Sequence, residues 1–143
     1  VSWWVQLIAC FVAALAFSAL VHLPKKAYPI TGLIATAGYG VFLLLNQSTM
    51  GYFFATLLIG ISCEICARLL KHTATMFITS AIIPLVPGVG LYRTMRYLVE
   101  GDASMAVSTG TETVLGICGI ALALTVSTVI FANLRSRKKK EMT

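Results

Sequence analysis

Long apolar runs fill this chain, and its polar residues collect in the short gaps between them. The pattern predicts five membrane-spanning helices, over residues 3–23, 27–46, 52–70, 74–99 and 104–133. About 20 residues at 1.5 Å rise cross the hydrocarbon, so each run is long enough. Trp3 and Trp4 suit an interfacial aromatic anchor. Pro29 falls in the first turn of the second helix, where a missing N–H is harmless. The expected fold is all-α: a single polytopic transmembrane domain over 1–143, with a basic cytoplasmic tail at 134–143.

The fourth run is interrupted by Pro84-Leu85-Val86-Pro87-Gly88-Val89-Gly90. The two prolines remove donors, so the carbonyls of Ser80 and Ile83 are expected to lose their helical partners. In hydrocarbon an unpaired backbone group costs several kcal/mol, so such a break persists only where protein or a water-filled cavity receives it. Broken helices of this kind hold the substrates of many transporters.

Composition agrees with the hydropathy pattern. The chain has 143 residues, 58% hydrophobic and 11% charged, with a mean hydropathy of +0.88. Soluble domains carry roughly 25% charged residues. The first run is too long for a signal peptide and lacks a basic leader, so it is expected to remain in the membrane. The net charge of +6 follows membrane orientation rather than nucleic-acid binding. Nine of the eleven Lys and Arg residues fall in alternate loops and the tail: Lys25, Lys26, Arg68, Lys71, Arg135, Arg137, Lys138, Lys139 and Lys140. The positive-inside bias then predicts an external N-terminus and a cytoplasmic C-terminus, with the tail also meeting anionic lipid.

Ionisable residues inside a membrane are functional hypotheses by default. Glu64 lies in the third run, four residues before Arg68. It is either a proton-carrying carboxylate or half of an ion pair with Arg68 near the cytoplasmic interface. Glu112 shares a helical face with Gly116, Gly119, Ala123 and Ser127. That small-residue face is expected to pack on protein and to carry Glu112 into the bundle, or else to lift it to the external headgroups.

Beyond the break, the new helix N-terminus offers free N–H groups and a partial positive charge, which an anionic group matches. Arg93 and Arg96 lie within the first turns of that helix. A substrate carboxylate would compensate them; the bland reading has both reaching for headgroups, with Arg96 paired to Glu100. The candidate substrate site is therefore Pro84, Pro87, Gly88, Gly90, Tyr92, Arg93 and Arg96, with Glu64 or Glu112 for proton coupling. Tyr92, Thr79 and Ser80 flank the break and could offer hydroxyls, as could Thr109 and Thr111, but isolated hydroxyls in membrane helices usually bond back to helix carbonyls. Gly32, Gly38 and Gly40 are expected to mark close helix packing. Cys10, Cys63, Cys66 and Cys118 all sit in apolar runs, where packing explains them better than redox chemistry or zinc. No nucleophile–base pair, metal spacing or phosphate loop is visible, so neither an enzyme nor a cofactor is expected.

The stretch Ala81-Ile82-Ile83-Pro84-Leu85-Val86-Pro87-Gly88-Val89-Gly90-Leu91-Tyr92-Arg93-Thr94-Met95 resembles the signature of the threonine/serine exporter family, and Gly60 to Arg68 is similar to the stretch that precedes it there. The chain resembles the family's small five-span protein, equivalent to the C-terminal half of the fused exporters. The resemblance implies a larger partner, as in a two-component system associated with succinate export.

The expected function is thus a subunit of a proton-coupled secondary exporter in the bacterial cytoplasmic (inner) membrane. It would move threonine, serine or a dicarboxylate outward together with a complementary larger subunit or as a homo-oligomer. The alternative is a non-transporting assembly subunit that stabilises a larger partner; a channel is a third reading.

Overall fold

A computed structural model describes residues 2–143. In chain order the helices are Trp3–Leu20 (α1), Tyr28–Leu44 (α2), Thr49–Leu70 (α3), Ala74–Ile82 (α4), Gly88–Glu100 (α5) and Ala103–Glu141 (α6). Single 3-10 turns, Lys25–Ala27 and Ile83–Leu85, lead into α2 and out of α4. No strand occurs among the described residues, and the fold is all-α. Among the described residues four helices are long and apolar enough to cross a membrane, and the pair broken at Val86–Pro87, bent by 46°, brings the number to five where it crosses as one span.

Local chemistry sets the boundaries. Ser48 Oγ accepts the Gly51 N–H at 3.2 Å and opens α3. Lys71 closes α3 in a left-handed conformation (φ 56°), and the next N–H, of His72, returns to the Ala67 carbonyl at 2.9 Å. Gly101, at φ 82°, turns the chain out of α5 in a conformation that glycine adopts without strain. Asp102 then caps α6 by accepting the Met105 N–H at 3.1 Å. Asp102→Ala is expected to destabilise this end by about 1 kcal/mol. Hydrogen exchange should show faster amide exchange confined to the first turn of α6.

α6 does not end near Asn133; it continues through the basic tail to Glu141. Its 39 residues extend about 58 Å, roughly twice the hydrocarbon thickness. Arg and Lys are good helix formers, and Lys138, Lys139 and Lys140 meet the negative end of the helix dipole, so nothing there stops the helix.

α1, α2 and α3 pack as consecutive antiparallel neighbours, α4 fits among all three, and α6 lies along the outer side of α3. Phe77 of α4 is fully buried within a cluster that includes Ala14, Ala35, Ala55, Ile59 and Cys63. Small residues bring the helices close. A side chain at Gly38 would run into Ile59, and one at Gly32 would meet the Phe11 ring at 2.6 Å. Gly40 is looser, 3.9 Å from Leu7, so two of the three α2 glycines expected at packing points occupy them. Trp3, Trp4, Val5, Ile8 and Val12 of α1 stay exposed, as lipid-facing residues do.

Candidate functional site

The break is a compact device. Pro84 sits in the 3-10 turn, and the Val86 N–H bonds the Ile83 carbonyl at 3.2 Å. The Ile83 carbonyl is therefore not orphaned, contrary to the expectation from Pro87 alone; the tighter turn supplies a different donor. Pro87 (φ −76°, ψ 59°) is the centre of an inverse γ-turn closed by the Gly88 N–H on the Val86 carbonyl at 2.7 Å. Leu85 and Pro87 are buried; Val86 and Gly88 are exposed.

α5 starts from this turn without a side-chain cap. Its first ladder bond is Leu91 N–H to the Pro87 carbonyl, which leaves the Val89 and Gly90 amides without a partner in the chain. The space around Gly88 is open: a Cβ there would meet no atom within 4 Å. Gly90 is the opposite case, since its Cβ would lie 2.5 Å from Thr113 Oγ1 of α6. One turn on, a Cβ at Gly110 would meet Thr94 Cγ2 at 3.1 Å. Gly90 on Thr113 and Thr94 on Gly110 define the antiparallel register of α5 on α6.

At 100° per residue, Val89, Arg93, Arg96 and Glu100 share one side of α5. Arg96 Nε donates to Glu100 Oε1 at 2.8 Å, so this cation is compensated locally, as the bland reading expected. Such exposed pairs contribute little to stability. Arg93 is exposed and has no ion pair among the described residues. Tyr92 is exposed on the flank. Arg93 directly precedes Thr94, and Glu112 directly precedes Thr113. In an antiparallel pair, residues so placed fall on the same side, so Arg93 and Glu112 flank the break at one level.

Glu112 does not enter the bundle of a single chain. It continues the face of Gly116 (where a Cβ would meet the Tyr52 ring at 2.9 Å), Ala123 and Ser127, but it is exposed. The physical reason is register. α6 runs about 20 Å, over residues 103–115, before Gly116 makes its contact with α3. Over that stretch α5 is its main neighbour, and α5 itself buries no residue.

Glu64 lies elsewhere. It is half-buried on α3, one turn beyond Gly60, whose Cβ would meet Ser127 Oγ at 2.8 Å. The rise from Thr113 to Ser127, plus a turn, puts it roughly 25 Å from the break. The alternative of a Glu64–Arg68 ion pair is not what the structure adopts. Arg68 donates to the Phe131 carbonyl at 2.9 Å, with its guanidinium 4.8 Å from the Phe131 ring centroid. Glu64 has no ion pair or hydrogen bond among the described residues. The structure thus brings together the break, Arg93 and Glu112, and separates Glu64 from them.

The flanking hydroxyls Thr79 and Thr111 bond back to the carbonyls of Thr75 and Val107 at 2.8 and 2.7 Å, and Ser80 to Met76 at 3.2 Å. Sequence reasoning missed Thr113, the residue that seats the break. Its only local signal was a buried-face position three residues before Gly116.

An uncharacterized protein of Haemophilus influenzae is 32% identical over a stretch covering 62% of this chain and 31% of that protein. The chain therefore spans under a third of that relative's length. No solved structure matches the chain. A family model described as threonine/serine exporter, ThrE, matches residues 6–130, which include all of α2 to α5 with the break. This multi-pass membrane chain belongs to the threonine/serine exporter family, a family of transporters.

Proposed function

We propose that the chain is one part of a proton-driven exporter of small carboxylate-bearing metabolites: threonine, serine, or a dicarboxylate such as succinate. The observation that carries this reading is the uncapped start of α5. There two free amides, open space at Gly88 and an unpaired Arg93 meet. Amides at a helix N-terminus and a guanidinium recognise the same chemistry, a carboxylate. Glu112 beside them and Glu64 near the basic end are the proton carriers of the proposal. The membrane is the bacterial cytoplasmic one, with the N-terminus outside and the basic end of the bundle in the cytoplasm.

A larger complementary half completes the pathway. The Haemophilus relative, about three times longer than its match to this chain, and the unburied α5 support that reading. The same unburied α5 is what favours the alternative, an assembly subunit with no site of its own. Export from cells carrying the chain and its partner, assayed with a panel of amino acids and dicarboxylates, separates the two. Glu64→Gln should leave assembly intact and abolish the dependence of export on the proton gradient. Export of every panel member at wild-type rates after deletion of both genes would sink the proposal.

A further inference from the structure

We propose that the α3–α6 seam running inward from Glu64 past Ser127 to Thr56 is a hydrated path for protons. Six hydroxyl side chains are buried among the described residues: Ser18, Thr31, Thr56, Ser80, Thr113 and Ser127. Four return the O–H to the carbonyl four residues back, at 2.7 Å (Ser18), 2.9 Å (Thr31), 3.2 Å (Ser80) and 2.8 Å (Thr113). Thr56 and Ser127 do not. Both are fully buried, and Thr56 Oγ1 and Ser127 Oγ have no hydrogen-bond partner in the chain.

The two exceptions lie on one seam. Ser127 Oγ faces the bare backbone of Gly60. Thr56 lies one turn before Gly60 on α3, and Glu64 one turn after it. The carboxylate is itself half-buried and unpaired. Lipid cannot satisfy these oxygens, and a buried polar group left unsatisfied is unfavourable. Water can, because it donates and accepts at once. The spacing suits it: one helical turn is about 5.4 Å, the span of two O–H···O hydrogen bonds of about 2.7 Å through one water. Gly60 lies between the two outer groups, and a side chain there would meet Ser127 Oγ at 2.8 Å.

Along such a path the Glu64 carboxyl O–H breaks as an O–H forms on the adjoining water. That water releases a different proton to the next oxygen. Each hop breaks one O–H and makes one, no electrons are exchanged, and Glu64 is left as a carboxylate that the next proton refills. Hydration of the seam stands on geometry alone; its use for protons rests on the reading of Glu64 given under the proposed function.

The experiment uses the full chain in its own membrane, with the native cysteines replaced by alanine and single cysteines at Thr56→Cys, Ser127→Cys or Ala55→Cys. Ala55 is equally buried, on the face of α3 that lies near Gly38 of α2. Ag⁺ is the probe, because it needs water to arrive and a thiolate to react. A dry apolar site holds the thiol protonated, and each pKa unit of that effect lowers the thiolate about tenfold. Cysteines at 56 and 127 are expected to react at least about tenfold faster than the cysteine at 55. Equal, slow reaction at all three overturns the proposal. Should the cysteine variants not accumulate, the Thr56→Val, Ser127→Ala double variant decides. A lower melting temperature supports lost water-mediated bonds, whereas a higher one shows that the hydroxyls were unsatisfied and the seam dry. Proton-independent export by Glu64→Gln with silver reactivity unchanged keeps both readings. Wild-type proton dependence in that variant removes Glu64 as the carrier and leaves the hydration result to be read separately.

Discussion

Phe77→Ala is expected to destabilise the bundle by about 3 kcal/mol, the low end of the range for burying a cavity where a phenylalanine stood. Phe77 is fully buried in α4, a helix of nine residues that packs on α1, α2 and α3 together. Apolar helices gain nothing by leaving lipid for one another, so what holds α4 there is close packing. Alanine removes a ring and leaves neighbours such as Ile59 without contacts they cannot recover by small shifts. Phe77→Leu, which keeps most of the volume, should cost about 1 kcal/mol. Unfolding curves in detergent, followed by helical circular dichroism against added denaturing detergent, measure both. Equal midpoints for Phe77→Ala and the wild type would show that α4 is not part of the stable core.

Gly88→Leu and Gly90→Leu, two residues apart, should fail in different ways. Gly88 has open space around it and no positive φ, so leucine is expected to fold and assemble normally while blocking the bare turn, with loss of export. Gly90 sits against Thr113, whose hydroxyl is tied to the Thr109 carbonyl at 2.8 Å and cannot swing aside without giving up that bond. Leucine there must lift α5 from α6, an overpacking cost of about 1–3 kcal/mol, and export falls together with thermal stability. Melting temperature and export, measured on the same preparations, separate the cases. Normal export by Gly88→Leu would remove the break from the substrate path.

Much of this molecule was legible from one dimension of information. Hydropathy alone located the long apolar helices, because burial in lipid demands long apolar runs and continuous backbone pairing. Pro84 and Pro87 located the break to the residue, because a missing N–H is a local fact. The Arg96–Glu100 pair followed from a spacing of four on a helix. Other expectations needed the neighbour's identity and were partly missed. The spacing of four was equally good for Glu64 and Arg68, yet Arg68 turned to Phe131, sixty-three residues away, where a carbonyl and a ring face both accept it. Glu112 lay on the expected face but one turn beyond the reach of α3, and so stayed exposed.

The sequence by itself determined the all-α class, the long apolar helices, the broken helix and the gathering of basic residues at one end, because hydropathy, proline chemistry and loop charge act residue by residue. Only the tertiary structure decided which helices touch and at what height: Gly90 on Thr113, Gly60 on Ser127, Thr56 left without a partner, α5 left unburied. Helical periodicity says which residues share a face, but not which helix covers that face or how far along its axis. That axial register comes from side chains of several helices packing at once, and here it sets the break and Glu112 at one end of the molecule and Glu64 near the other.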